Sequence, residues 1–195
     1  MKLIFVRHGE TFGNAEGVIL GQHDGHYGQL NAIGIKQAKN VANKLKSENI
    51  NAIYSSDLSR AKDTVFEIAK YHKGIKISLL KELRERYYGA DEGKKLTKEE
   101  REERAKILYN LNFRPGGGET VAELYNRIFR ILDSIYKENI DNTVLIVGHA
   151  GMGRIITAIS EEINLDEIGS KVSKAENTEI RIFEIKKLQY LGNSN

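Results

Sequence analysis

Two hydrophobic rhythms alternate along the chain. Residues 3–6, 52–54 and 144–147 form short apolar runs with no polar residue between them. Such runs predict strands covered on both faces, as in a parallel sheet. Between them, apolar side chains recur every three or four positions: Ile35, Ala38, Val41, Ala42 and Leu45, then Leu58, Ala61, Val65 and Ile68, then Val121, Leu124, Ile128, Ile131 and Ile135. This is the spacing of helices with one buried face. Thr97 with Glu100 and Thr120 with Glu123 are capping-box pairs and predict two helix starts. A further strand is expected at residues 75–79. Residues 178–185, with Ile180, Ile182 and Ile185, suggest a later one at a sheet edge, and residues 192–195 are expected to fray. The alternation predicts an α/β fold: a three-layer α/β/α domain with a mostly parallel central sheet. Ligands then bind beyond the carboxyl ends of the strands.

Nothing divides the chain. Pro115 is the only proline, and with Gly116, Gly117 and Gly118 it marks a loop, so residues 1–195 are read as a single domain. A 195-residue chain with 40% hydrophobic and 29% charged residues has the makings of a sizeable core. The opening apolar run ends at Arg7 and His8, too short for a signal peptide or membrane span, so a cytoplasmic protein without a membrane partner is expected. The absence of cysteine removes disulfides, thiolate metal sites and a thiol nucleophile. The net charge of +3 is modest, and KEEREERAK interleaves its signs like a solvated helix face. It favours anionic small molecules by weak steering and gives no reason to expect nucleic acid. The sequence does not fix an oligomeric state.

The chemistry lies where the runs end. The first strand leads into Arg7, His8, Gly9, Glu10 and Thr11, and residues 144–147 lead into Gly148, His149, Ala150 and Gly151. Arg60 follows residues 52–54 by about one helical turn. Glu85 lies in LRERYYGADEG, after the predicted strand at 75–79. Phosphoryl transfer requires a nucleophile, cations on the non-bridging oxygens and a proton for the departing alkoxide. Neutral imidazole is nucleophilic near pH 7, which suits His8. Arginine forks match phosphate oxygens, which suits Arg7 and Arg60. A carboxyl group kept protonated by a neighbouring phosphate dianion can act as the acid, the role given to Glu85. Glu82, one helical turn earlier, is the competing carboxylate, and either could instead pair with Arg84 or Arg86.

RHGET with Asn14, SSDLSRAKDT, LRERYYGADEG, PGGGET and GHAG, in that order, resemble the histidine phosphatase superfamily, the phosphoglycerate mutase-like proteins, over most of the chain. The resemblance implies a phosphoglycerate mutase-like fold and phosphorylation of His8. Arg7, Arg60 and His149 would complete the phosphate site, with Glu85 as the carboxyl donor. It also implies substrate contacts from Asn14 and from backbone near Gly21, Gln22 and His23 and at Ala150. ERYYGADEGKKL followed by PGGGET is similar to the fructose-2,6-bisphosphatase type. The segment between Glu85 and Pro115 is shorter than in the sugar-phosphate mutases, which implies a more open site. Water would then reach a phosphohistidine, favouring hydrolysis over phosphoryl return. The expected activity is a metal-independent phosphatase, needing no cofactor, for small phosphorylated metabolites such as sugar phosphates, with fructose-2,6-bisphosphate a candidate. A cofactor-dependent phosphoglycerate mutase and a non-catalytic binding protein on the same fold are the competing readings.

The remaining signals have plainer interpretations. His23, His26 and His72 sit among polar residues without a partner cluster and are expected at the surface, so HDGH is not read as a metal clip. Asp57 is expected to cap the helix bearing Arg60 rather than to bind a metal. GHAGMG lacks the spacing of a dinucleotide fingerprint, and the chain has no GxxxxGK phosphate loop. GGGET reads as a turn into a capped helix.

Overall fold

The computed structural model describes residues 1–191. In chain order its strands are β1 (Lys2–Arg7), β2 (Ala52–Ser56), β3 (Ile77–Leu80), β4 (Thr143–Gly148) and β5 (Ile180–Glu184). Its helices are α1 (Phe12–Glu16), α2 (Ala32–Leu45), α3 (Ser59–Ala69), α4 (Lys98–Ile107), α5 (Val121–Glu138), α6 (Ala150–Ser160) and α7 (Ile168–Lys171). The strands form one sheet in the order β3-β2-β4-β1-β5, parallel throughout except for β5, which runs antiparallel beside β1. The strand expected at 75–79 begins two residues later, and residues 192–195, expected to fray, lie outside the described residues.

The uninterrupted apolar runs follow from two covered faces. Successive side chains of a strand point to opposite sides. Leu3 and Phe5 pack with α5 and α6, whereas Ile4 and Val6 pack with residues of α2 and α3. In β4, Val144 and Ile146 join the first layer, and Leu145 and Val147 the second. Each of these residues is fully buried, worth roughly 1.5–3 kcal/mol per side chain. Both capping boxes form, Thr97 with Glu100 at α4 and Thr120 with Glu123 at α5.

Several positions differ from expectation. Ile35 is 45% exposed, and Gly34 is the buried residue of that turn. α2 approaches the loop after β1 so closely that a side chain at Gly34 would overlap the Glu10 carbonyl, which fixes its rotation. On α5 the fully inward residue is Leu132, with Ile131 at the margin of the core. His72 is buried rather than superficial, because the chain leaving α3 folds back on itself. Asp57 does not cap α3. Its carboxylate grips the Arg84 guanidinium at 2.6 Å on both oxygens, and Asp24 accepts from the Ser59 N–H at 2.9 Å instead. No helix among the described residues is long and apolar enough to cross a membrane.

Candidate active site

β1 and β4 are adjacent and in register, Arg7 opposite Gly148, so the residues that follow them emerge side by side. His8 and His149 have ring centroids 5.2 Å apart. The backbone N–H of His8 donates to the Gly148 carbonyl at 2.9 Å, tying the two loops together. β2 lies on the other side of β4 and delivers Arg60 in the first turn of α3. A cavity of about 550 Å³ opens here, with Arg7, His8, Asn14, Gly21, Arg60, Glu85 and Ala150 in its wall.

His8 is 4% exposed, and its Nδ1 lies 2.7 Å from the Gly9 carbonyl. A carbonyl can only accept, so the neutral ring carries its proton on Nδ1 and leaves the Nε2 lone pair free. Burial holds its pKa well below the ordinary histidine value, and the positive charges of Arg60 and Arg7 push the same way. His149 is completely buried at the N-terminus of α6, and its pKa is likewise lowered by burial and then by Arg60. Both rings are therefore neutral at physiological pH.

Arg60 is clamped by the loop before α2. Its Nη2 donates to the Gly21 carbonyl at 2.6 Å and its Nη1 to the His23 carbonyl at 3.1 Å. Burial lowers its pKa to about 10, with Glu85 and Asp24 opposing, so it stays cationic at neutral pH. Arg7 donates through Nη1 to the Ala175 carbonyl at 2.8 Å. Four buried nitrogens in this cluster have no partner among the described residues: Nε of Arg7, Nε of Arg60 and both ring nitrogens of His149. A neutral His149 offers one ring N–H and one lone pair, so three of the four are donors; unpaired buried donors are costly, and an anion rich in acceptor oxygens would satisfy those three.

Glu85 faces this cluster. Oε1 accepts from the Arg86 N–H at 2.8 Å and Oε2 from the Gly151 N–H at 2.9 Å. Neither neighbouring arginine pairs with it: Arg84 is taken by Asp57, and Arg86 donates to the Glu119, Leu108 and Phe113 carbonyls. Glu82 points to solvent. Arg127 donates to the Glu85 and Arg84 carbonyls while pairing with Glu119 at 2.7 Å, which fixes the segment carrying Glu85. Glu119 is thus a brace rather than a group in the cavity wall.

Asn14 lies in the wall and completes the α1 capping box through Thr11. Gln22 is not in the wall: its backbone N–H goes to Glu92 at 2.7 Å and its side-chain amide donates to the Glu85 carbonyl at 3.1 Å, so it holds two loops together. His26 stacks on Phe12 and Asp24 caps α3, which accounts for HDGH. The segment between Glu85 and Pro115, expected to leave the site open, contains α4 and places Arg101, Arg104, Leu108 and Tyr109 in the wall. Thr64, Arg154, Lys174 and Asn177 were not foreseen. Thr64 accepts from the Gly9 N–H and donates to the Arg60 carbonyl, and Asn177 donates to the His8 carbonyl at 2.9 Å.

Paired strand ends thus bring two imidazoles and two buried arginines together at one cavity. The chain belongs to the histidine phosphatase superfamily (branch 1), whose family model matches residues 3–190. It is similar to the metal-independent phosphoserine phosphatase of Arabidopsis thaliana, with 38% identity over 163 residues, 80% of this chain and 66% of that protein. It is also similar to the fructose-2,6-bisphosphatase TIGAR of Bos taurus, with 38% identity over 128 residues, 64% of this chain and 47% of that protein. It therefore spans just under two thirds of the first relative's length and about half of the second's. Among solved structures, the phosphoserine phosphatase of Entamoeba histolytica bound to 3-phosphoglyceric acid superimposes with a TM-score of 0.79 at 27% identity, covering 99% of this chain and 97% of that one.

Proposed function

We propose that this chain is a phosphatase that hydrolyses phosphomonoesters of small metabolites through a phosphohistidine on His8. The observation that carries the reading is the group of four orphaned nitrogens on Arg7, Arg60 and His149 beside the free Nε2 of a neutral His8. The relatives' names, phosphoserine phosphatase and fructose-2,6-bisphosphatase, support the same substrate class.

In the first step, Nε2 of His8 forms a bond to phosphorus as the P–O bond to the leaving group breaks. The electron pair stays on the departing oxygen, and Glu85 supplies its proton. Arg7, Arg60 and His149 hold the three non-bridging oxygens throughout, stabilising the charge where it is greatest. In the second step, water gives its proton to the Glu85 carboxylate as its oxygen bonds to phosphorus. The P–N bond breaks, and inorganic phosphate leaves with His8 neutral again.

The test is turnover of an aryl phosphate. Hydrolysis is expected to be unaffected by EDTA and abolished in His8→Ala. The wild type quenched in base should retain acid-labile phosphate on the protein. Activity that requires added divalent metal, or that survives in His8→Ala, refutes the mechanism. With 3-phosphoglycerate and a bisphosphate primer, the expected product is inorganic phosphate; efficient formation of 2-phosphoglycerate would favour a mutase.

A further inference from the structure

Asn177 enters the site from the chain that leads into β5, and its side-chain amide reaches two groups at once. Nδ2 donates to the His8 carbonyl at 2.9 Å and to Asn14 Oδ1 at 3.3 Å. Chemistry dictates the direction of both bonds. A backbone carbonyl can only accept, so Asn177 must turn its NH₂ group towards His8. The Thr11 N–H, which can only donate, lies 3.3 Å from the same Asn14 oxygen. With donors from Thr11 and Asn177 both on Oδ1, the Asn14 amide cannot be flipped, and its NH₂ is the end left over. That group makes no hydrogen bond among the described residues, and Asn14 lies in the cavity wall with Arg7 and His8. The opposite orientation would aim a carbonyl oxygen at a bound phosphate, and the two would repel.

The same amide completes a set of tethers on His8. The His8 N–H is held by the Gly148 carbonyl at 2.9 Å, ring Nδ1 by the Gly9 carbonyl at 2.7 Å, and the His8 carbonyl by Asn177. Asn177 is itself held by a strained turn. The Glu179 N–H donates to the Glu176 carbonyl at 3.0 Å, and within this turn Thr178 has a φ of +57°, in the left-handed region that a β-branched residue rarely adopts. Thr178 is kept there by its N–H, which donates to the Arg7 carbonyl at 3.0 Å, and by its hydroxyl, which donates to the Asn177 carbonyl at 2.8 Å. Strain of this kind persists only where the surroundings over-determine it, and it gathers where a side chain has to be aimed.

We infer that Asn177, aimed by the strained turn at Thr178, is a positioning residue for the phosphate site. It fixes the Asn14 amide with its NH₂ towards the bound phosphoryl group, and it pins the backbone of His8, from which Nε2 attacks. The role in attack rests on the phosphatase reading, whereas the orientation of Asn14 stands on the hydrogen bonds alone. The Asn177 amide is spent on His8 and Asn14, so its effect on phosphate affinity passes through Asn14.

A double-mutant cycle with inorganic phosphate as the probe tests this without turnover. The phosphate Kd is measured by calorimetry on the wild type, Asn177→Leu, Asn14→Ala and the double variant; leucine keeps the volume and removes the donor. Asn14→Ala is expected to bind phosphate about tenfold or more weakly, the loss of one hydrogen bond to a charged group, and Asn177→Leu about fivefold more weakly. In the Asn14→Ala background, Asn177→Leu should cost less than about twofold, because the group it orients is gone. Losses that multiply, or an Asn177→Leu protein that binds phosphate within about twofold of the wild type, overturn the inference. Thr178→Gly keeps the Asn177 side chain and frees the turn, which guards against a variant that fails to fold. Its urea midpoint should equal or exceed that of the wild type while phosphate binds about threefold or more weakly, and only where Asn14 is present. Phosphate affinity unchanged in Thr178→Gly overturns the inference as well. With an aryl phosphate, kcat should fall about fivefold in Asn177→Leu with or without Asn14, since the His8 tether is lost in both; an unchanged kcat overturns the part concerning His8. Failure of the phosphatase reading would appear separately, as an aryl phosphate left unhydrolysed by a protein whose phosphate affinity still follows the cycle.

Discussion

Gly151 offers a way to displace the proposed acid without altering it. The residue is buried in the first turn of α6, and its N–H holds Glu85 Oε2 at 2.9 Å. A methyl group at this position would overlap Glu85 Oε1, the oxygen held by the Arg86 N–H at 2.8 Å. In Gly151→Ala the carboxyl group must therefore swing away and give up at least one backbone hydrogen bond. Such a bond to a charged group is worth about 1.5–3 kcal/mol, while alanine in place of glycine within a helix returns about 0.5–1 kcal/mol. The net cost, about 1–2 kcal/mol, leaves the protein folded. The catalytic cost is larger and selective. A positioned general acid contributes about 10²–10⁴-fold, but only where the leaving group needs a proton. With an alkyl phosphate, kcat/KM should fall about 100-fold or more; with p-nitrophenyl phosphate, whose anion departs unaided, the loss should stay within about fivefold. Adding Gly151→Ala to Glu85→Gln should cost little more than Glu85→Gln alone, because the two changes remove one function. Equal losses on both substrates would refute the reasoning, since Gly151 would then act on phosphate binding or on His8 rather than through the acid.

Two further outcomes follow from the buried charges and near-charges of the site. Burial lowers the pKa of both His8 and His149, so below the unfolded value of about 6.5 the unfolded chain binds more protons than the folded one. Stability is therefore expected to fall as pH drops from about 6.5 to 5, with a slope of up to about 1.4 kcal/mol per pH unit per histidine. Urea titrations across that window check it: His8→Ala should reduce the slope, and a flat profile would contradict the buried, neutral rings. Arg86 is 1% exposed and donates to three carbonyls, from Glu119, Leu108 and Phe113. Arg86→Ala strands those acceptors and should destabilise by about 3–5 kcal/mol in urea titrations, with Arg86→Lys intermediate because an ammonium cannot span all three.

What could be read from the sequence was what a short stretch of chain decides for itself. β1 and β4 are legible because residues covered on both faces must all be apolar, and the residues after them fall at the sheet's carboxyl edge whatever the rest of the chain does. The capping boxes of α4 and α5 are legible for the same reason, since donor and acceptor lie three residues apart. Asp57 shows where local reasoning stops. It stands at the right spacing to cap α3, but Arg84 arrives from 27 residues away and Asp24, 35 residues from Ser59, takes the capping role. Gln22 likewise lies in the implied binding loop, but partners 63 and 70 residues distant use its donors.

Lys174 and Asn177 were hidden by an unknown direction rather than by distance alone. An edge strand was expected near residues 178–185, but its polarity could not be read from alternation. Because β5 runs antiparallel to β1, it starts where β1 ends: Ile180 pairs with Val6. The chain entering β5 must therefore pass over the carboxyl ends of the parallel strands, and it reaches the cavity carrying Lys174, Glu176 and Asn177. A parallel β5 would have delivered those same residues to the opposite end of the sheet, some 20 Å away for a strand of this length. The Asn177 bond to the His8 carbonyl thus depends on one reversal of strand direction at the sheet edge.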